Sequence, residues 1–156
     1  MEEVNLDPVT QGVLGATWAQ CGERKGQFKR AALLGLLGGV LADGDVLIRS
    51  SEDTLLFLEY HRQFTHSLIF IPLGGLIAAL LAFAISRKKI SIKEAYWPCT
   101  LGYASHGLLD ACTSYGTHLF WPFSNARESW CTISIIDPLF TMLLIVGVIL
   151  AARRGS

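Results

Sequence analysis

The chain has 156 residues, of which 51% are hydrophobic and 17% are charged, and its mean hydropathy is +0.42. This length suits one domain, and the composition excludes a disordered chain and is too apolar for an ordinary soluble domain. Basic and acidic residues number 13 each, so the chain lacks the net positive charge that is typical of a nucleic-acid-binding protein. The four cysteines form no close pair, which argues against a zinc ribbon or a disulfide framework.

Apolar segments follow one another along the chain and predict helices. The first segment, 10–21, is the weakest because it contains Gln11 and Gln20. The second, 31–42, is short and is followed by Asp43-Gly-Asp45. The third, 68–85, has 18 residues without a charge. As a helix it is about 27 Å long, close to the thickness of a bilayer core.

Two further apolar segments carry ionisable residues. Segment 95–115 contains His106 and Asp110, and segment 132–152 contains Asp137 near its start. We therefore predict an all-α, polytopic membrane bundle of about five helices, which forms one domain over residues 1–156. The helices are expected near 8–22, 28–43, 66–86, 94–114 and 137–152.

Basic residues alternate between the segments that connect these helices. The segments 23–30, 86–94 and 153–156 carry ten of the 13 basic residues, whereas 44–65 and 115–133 carry the other three. The positive-inside rule places the basic segments in the cytoplasm, with the N-terminus outside and the C-terminus inside. A soluble helical bundle, the alternative, has no reason to alternate in this way. The acidic N-terminal sequence MEEVNLDP predicts no signal peptide.

Local signals agree with this topology. Asp7-Pro8 and Asp137-Pro138 each place an N-cap residue before a proline in the first helical turn, and both would start helices at the outer face. Small residues four positions apart also favour close packing of membrane helices. The pairs are Gly35 and Gly39, Gly74 and Ala78, and Gly75 and Ala79.

A histidine and an aspartate lie within the fourth predicted helix. His106 and Asp110 are four residues apart, so they project from one face, and Tyr103, Thr113 and Ser114 extend that polar stripe. An aspartate within a membrane is costly unless it is paired or binds an ion. The pair could chelate a metal ion, or it could be a buried hydrogen bond that joins two helices.

Other candidate ligands map to the same outer half of the bundle. His61 and His66 flank Arg62 in the sequence HRQFTH, and Asp43 and Asp45 end the second helix. Nitrogen and carboxylate ligands together suit zinc, manganese or iron better than calcium or magnesium, and more than four ligands allow two ions. Arg62 could bind a phosphate or carboxylate, or it could extend to the membrane interface.

The outer loop after the fourth helix is rich in aromatic residues, in the sequence SYGTHLFWPFSNARESW. Phe120, Trp121, Phe123 and Trp130 are expected at the lipid–water boundary, and the alternative is that they line a cleft through which lipid enters.

Five motifs, in order, resemble one known family. They are LDPVTQGVLGA, GGVLADGD, HRQFTHSL, GYASHGLLDACTSYGTHLFWPFS and the span that opens with Asp137-Pro. Together they resemble the YdjM-type family, whose members are described as LexA-binding, inner-membrane-associated, metal-dependent hydrolases. The resemblance covers nearly the whole chain and implies an inner-membrane location. The basic segments are short and contain no evident module for binding LexA.

This family is distantly similar to zinc-dependent phospholipase C and P1-type nucleases, which are all-helical enzymes. Their His-xxx-Asp ligand pair resembles His106 and Asp110. The resemblance implies a divalent metal site, with zinc first and manganese second, of one or two ions. It ranks His66, His106 and Asp110 as the first ligands, Asp45 and His61 next, and Asp43 below them. The phospholipases are soluble, and their N-terminal tryptophan ligand has no counterpart at Met1.

The resulting hypothesis is a metal-dependent hydrolase of a lipid or amphiphilic phosphoester, with its site facing the outside or periplasm. Asp43 or Asp45 would act as general base and Arg62 would stabilise charge on the phosphoryl group. Two alternatives use the same residues. They are a non-catalytic membrane scaffold and an ion-binding or transport protein.

Overall fold

A computed structural model of the chain describes residues 8–24, 26–47, 63–87, 89–134 and 137–154, with the backbone alone at 45–47. The protein is all-α, as predicted. The described residues form five α-helices, which are α1 Pro8–Cys21, α2 Phe28–Leu41, α3 Ile71–Ile85, α4 Ile92–Ala111 and α5 Pro138–Arg154. In the described part of the chain between α2 and α3 lie the 3₁₀ turns Ala42–Leu47, Phe64–His66 and Leu68–Phe70.

Two of the predicted helix boundaries are wrong. The third helix was expected from 66, but the backbone at Ser67 is extended (ψ 150°), so α3 begins at Ile71 with Pro72 in its first turn. The fourth helix was expected to reach 114, but α4 ends at Ala111, where the Thr113 hydroxyl donates to the Asp110 carbonyl (2.7 Å). Thr113 and Ser114 therefore lie beyond the helix and do not extend its polar stripe.

Side chains cap the starts of α4 and α5. Ser91 and Glu94 form a reciprocal capping box, in which each side chain accepts a hydrogen bond from the other residue's backbone N–H. The Phe140 N–H donates to Asp137 Oδ1 at 3.0 Å, which confirms the predicted N-cap of α5. Asp7, the other predicted cap, lies outside the described residues.

Three helices approach each other at glycines. A Cβ atom on Gly35 of α2 would collide with the Gly15 carbonyl and the Ala19 side chain of α1, and one on Gly102 of α4 would collide with the Gly35 carbonyl. Gly39, one turn after Gly35, packs in the same way against the Gln11 carbonyl. These contacts place the backbones of α1, α2 and α4 against one another, as the four-residue spacing predicts.

Small and large apolar residues are distributed in opposite ways. The core between α2, α3 and α4 contains Ala78, Ala79, Ala82, Ala95 and Cys99 around Leu34. Large apolar side chains face outward on α3 and α5, among them Leu73, Leu80, Leu139 and Leu143. A water-soluble bundle has the reverse arrangement, so this distribution fits a protein surrounded by lipid.

One described segment, Leu68–Ile85, is long and apolar enough to cross a membrane, with a mean hydropathy of 2.6. The shorter helices α1 and α2 have 14 residues each, or about 21 Å. In α4, Pro98, His106 and Asp110 interrupt the apolar sequence. The five helices found among the described residues agree with the predicted number, whereas their crossing of the membrane at all five positions stays a prediction.

The bundle has two chemically different ends. One end, which we call the cluster end, contains the first residues of α1, α3 and α5 and the last residues of α2 and α4. The opposite end, which we call the basic end, contains most of the described basic residues. This orientation follows from the contacts of Gly39 with Gln11 and His106, and of Thr10 with Thr141. Among the described basic residues, Arg127 belongs to the loop at the cluster end. The basic end carries Arg24, Lys29, Arg30, Arg87, Lys89, Lys93, Arg153 and Arg154.

The last helix makes polar contacts with α1 at both ends of the bundle. Thr141 is the buried residue of α5, and its hydroxyl hydrogen-bonds with that of Thr10 at 2.6 Å. Nearer the basic end, Gln20 donates to the Val148 carbonyl at 3.1 Å. The remaining surface of α5 is largely exposed and apolar, so α5 lies at the edge of the bundle.

Candidate functional site

Four ionisable side chains meet inside the cluster end and form what we call the His–Asp cluster. Asp43 comes from the turn after α2, His66 from the turn before α3, and His106 and Asp110 from successive turns of α4. His66, His106 and Asp110 are buried, and the side chain of Asp43 is 22% exposed. The prediction that His106 and Asp110 share one face of a helix is confirmed.

The ligand atoms of the cluster lie within a few ångströms of each other. The two histidine Nε2 atoms are 2.9 Å apart. Asp43 Oδ1 is 3.2 Å from His106 Nε2 and 3.7 Å from His66 Nε2. Asp110 Oδ2 shows the converse pattern, at 3.2 Å from His66 Nε2 and 3.7 Å from His106 Nε2. Two nitrogens and two carboxylates therefore face one small volume.

Backbone and hydroxyl groups orient the imidazoles. His106 Nδ1 hydrogen-bonds to the Gly39 carbonyl, which can only accept, so Nδ1 carries the proton. Neutral His106 then presents an unprotonated Nε2 to the cluster. His66 Nδ1 lies 2.9 Å from Thr65 Oγ1, and the Tyr103 hydroxyl donates to the Thr65 carbonyl at 2.8 Å. The Gly39 and Thr65 contacts leave both Nε2 atoms directed inward.

A buried glutamine from α1 completes the surroundings of the cluster. Gln11 Nε2 donates to Asp110 Oδ1 at 2.8 Å, and the Gln11 side chain is fully buried. Sequence reasoning missed this role because it treated Gln11 only as a polar residue that weakens the first apolar segment. The signal was the cost of a buried amide, since such a group needs a hydrogen-bond partner.

The charges of the cluster favour a bound cation. The two Nε2 atoms are 2.9 Å apart, so either a proton on one of them forms a hydrogen bond to the other or a metal ion takes the place of that proton. Burial raises the pKa of Asp43, but its contacts with the His106 and His66 imidazoles outweigh the effect of burial and hold the pKa well below its usual range. Asp43 is therefore ionised and adds negative charge at the same point.

The spacing of the ligand atoms also fits a metal ion. Ligands about 2.0–2.1 Å from a tetrahedral zinc ion are separated by about 3.3 Å. The distances in the cluster run from 2.9 to 3.7 Å. One ligand atom each from Asp43, His66 and His106 lies within 4.8 Å of the others. The residues present thus form a possible metal-binding triad, with Asp110 beside it.

Comparison with known proteins assigns the chain to a family. The family model described as YdjM inner membrane protein matches residues 6–156. The chain belongs to the YdjM family. The inner membrane protein YbcI of Escherichia coli (strain K12) is 30% identical over 112 residues, 68% of this chain and 62% of YbcI. The match thus spans less than two thirds of YbcI. No solved structure matches the chain.

Membership of the YdjM family confirms the predicted family and supports the inner-membrane location. The distant similarity of this family to zinc-dependent phospholipase C and P1-type nucleases stays a prediction. The membrane side that the cluster end faces is likewise a prediction.

The structure of this YdjM-family protein revises the expected roles within the cluster. The resemblance ranks Asp43 below Asp45 as a metal ligand, whereas the geometry groups Asp43 directly with His66 and His106. The side chain of Asp45 and all of His61 and Arg62 lie outside the described residues. Their predicted roles as ligand, base and phosphate-binding group therefore stay predictions.

Two other polar residues of the cluster end have separate surroundings. Asp137 caps α5. His118 lies in the loop after α4, where burial, followed by the charge of Arg127, lowers its pKa. A low pKa keeps His118 neutral at physiological pH.

The aromatic loop is attached next to the His66 turn. The Leu68 N–H donates to the Leu119 carbonyl at 2.9 Å, and the rings of Phe64 and Trp121 are 6.3 Å apart. Other aromatic side chains of the loop face outward, and Phe123 is 85% exposed. Exposed aromatic rings at one end of a membrane protein are typical of the lipid–water boundary, and the location of these residues there stays a prediction.

Proposed function

We propose that this YdjM-family protein is a membrane-embedded, metal-dependent hydrolase of a phosphoester in a lipid or other amphiphile. The observation that carries the proposal is the buried convergence of Asp43, His66 and His106, with Asp110 within 3.2 Å of His66. Three buried ionisable groups with a fourth, partly exposed one beside them are costly in a membrane protein unless they pair or bind an ion, and they often mark a functional site.

The donor set selects the class of metal. Two imidazole nitrogens and two carboxylates suit zinc first and manganese second. Asp43, His66 and His106 would hold the ion, with Asp110 as a fourth ligand. When bound, a divalent ion supplies a nucleophile at neutral pH because it lowers the pKa of water.

The chain's own groups prepare the site for this chemistry. The Gly39 carbonyl holds His106 in the tautomer that can bind a metal, and Gln11 fixes the orientation of the Asp110 carboxylate. Asp43, predicted as a base, is placed better as a ligand, which leaves the base role to Asp45. Arg62 precedes His66 by four residues and is proposed to bind the phosphoryl group.

The distribution of charge supports the proposed membrane side of the site, and the exposed apolar surface supports an amphiphilic substrate. The basic end carries eight of the described basic residues, named above, so the positive-inside rule places the cluster end outside or in the periplasm. The exposed aromatic loop beside His66 would bring an amphiphile to the site from the outer leaflet.

Metal content is the direct test of this proposal. We expect detergent-purified protein to hold stoichiometric zinc or manganese by elemental mass spectrometry, and His66→Ala and Asp110→Ala to lose it. His118→Ala is the matched control because it removes a histidine outside the cluster. The loaded protein should hydrolyse a phospholipid or synthetic phosphodiester, and a chelator should abolish that activity.

Two results would contradict the proposal. Wild-type protein that stays free of metal after reconstitution would leave His66 and His106 as a hydrogen-bonded pair, and the scaffold alternative would explain them. Protein that binds metal but hydrolyses no phosphoester would favour the alternative of ion binding or transport.

Gln11 is expected to act on the metal through Asp110. Gln11→Leu should weaken metal affinity by about 10- to 100-fold, since hydrogen-bond partners of metal ligands have effects of this size. Gln20→Leu is the matched control, because Gln20 is also buried in α1 but bonds to the Phe28 and Val148 carbonyls near the other end. Equal affinities of the two variants in a competition titration would refute the role of Gln11.

A further inference from the structure

A cavity lies at the basic end, away from the His–Asp cluster. Its volume is about 510 Å³, and it is enclosed by the end of α1 and the starts of α2 and α4. Cavities of this size hold small organic groups. The polar residues that line it are Glu23, Arg24, Gln27, Arg30, Lys93 and Glu94.

Two of the lining charges already stabilise the fold. Arg30 Nη2 is 3.0 Å from Glu94 Oε2, which joins α2 to α4. The same carboxylate accepts hydrogen bonds from the Ser91 N–H and hydroxyl at 3.0 and 2.7 Å. Arg24 and Lys93 are exposed and carry the other two positive charges of the cavity. Three cations against two carboxylates leave the lining with a net charge of +1.

Other features of the cavity suit an anion with an apolar tail. Two helix N-termini, those of α2 and α4, meet at this cavity and add partial positive charge. Leu34 and Ala31 provide an apolar wall, and Trp97, 58% exposed, stands at the rim. A tryptophan beside basic residues is typical of the membrane interface.

We propose that this cavity binds the phosphate of an anionic phospholipid from the leaflet at the basic end. Arg24 and Lys93 would bind the phosphate, with Arg30 behind them, and the acyl chains would leave past Trp97. Basic pockets between membrane helices are known to bind lipid head groups in this way. The inference does not depend on the proposed hydrolase, because no residue of the His–Asp cluster lines the cavity.

Lipid retention in native mass spectrometry tests the proposal. Wild-type protein titrated with phosphatidylglycerol should retain one lipid with the highest affinity. The double variant Arg24→Gln and Lys93→Gln should bind this first lipid about tenfold or more weakly, since each basic residue near a membrane contributes to anionic lipid binding. Arg30 stays unchanged because it pairs with Glu94.

The matched control removes the same charge at the same end. The control is the double variant Arg153→Gln and Arg154→Gln. Both arginines lie in the last turn of α5, and neither lines the cavity. Retention should stay at the wild-type level in this variant. An equal loss in both double variants would overturn the proposal, because it would mean general attraction to a basic surface.

Two further ligands identify the source of the phosphate. Soluble glycerol 3-phosphate tests whether phosphate alone suffices, and phosphatidylethanolamine tests whether the lipid must be anionic. Weak binding of both supports an anionic lipid site. Binding of glycerol 3-phosphate as strong as that of phosphatidylglycerol would overturn the lipid assignment in favour of a soluble phosphate ester.

Discussion

Asp43→Asn is expected to weaken metal affinity by more than about 100-fold, because a direct ligand should contribute more than the 10- to 100-fold effect of its neighbours. The substitution keeps the shape of the side chain but removes its negative charge. Asp43 Oδ1 lies 3.2 Å from His106 Nε2 and 3.7 Å from His66 Nε2, so the lost charge faces both imidazoles. Competition with a chromophoric chelator measures the affinity.

Asp137→Asn is the control for this experiment. Asp137 is another aspartate of the cluster end, but its Oδ1 accepts from the Phe140 N–H at the start of α5. Asparagine is as good an N-cap as aspartate, so both folding and metal affinity should stay near the wild-type values. A wild-type metal affinity in Asp43→Asn would exclude Asp43 as a ligand. It would favour the sequence-based ranking, in which Asp45 stands above Asp43.

Gly35→Ala is expected to destabilise the bundle by about 1–3 kcal/mol or more, the range for overpacking a well-packed core. A single methyl group at this position would collide with the Gly15 carbonyl of α1 and the Ala19 side chain. The backbone carbonyl cannot move aside as a flexible side chain would, so α1 and α2 must separate. Denaturant titration of the detergent-solubilised protein, followed by circular dichroism, measures the loss.

Gly147→Ala gives the opposite expectation. Gly147 lies in α5, and a Cβ there would meet no atom within 4 Å. Alanine has the higher helix propensity, so this variant should gain up to about 1 kcal/mol or stay neutral. Equal stabilities of the two alanine variants would contradict the close approach of α1 and α2 at Gly35.

The sequence predicts the helices better than it predicts the turns between them. Long apolar segments determine where helices lie, and the spacing of His106 and Asp110 places both on one face. The turn at His66 depends on contacts with distant residues, such as the Tyr103 hydroxyl on the Thr65 carbonyl, which no local pattern reveals. For this reason the start of α3 was predicted too early.

The site residues show the same limit. His106 and Asp110 could be proposed because ionisable groups within apolar segments are few, and the family resemblance added His66. The sequence could not rank Asp43 among the first ligands, because its contacts with His66 and His106 depend on the packing of α2 against α4. The identity of the hydrogen-bond partner of Gln11 was hidden for a related reason, since Asp110 is 99 residues away in the chain.

The position of α5 at the edge of the bundle, and at the end of the chain, has a consequence for the order in which the helices are synthesised. Every described side chain of the His–Asp cluster, and Gln11 beside it, belongs to residues 11–110, whereas α5 starts at Pro138 and buries Thr141. Synthesis proceeds from the N-terminus, and segments made early fold or pack first. The ribosome has therefore delivered the whole cluster before α5 is translated. The last helix is therefore added to a bundle whose His–Asp cluster has already been synthesised.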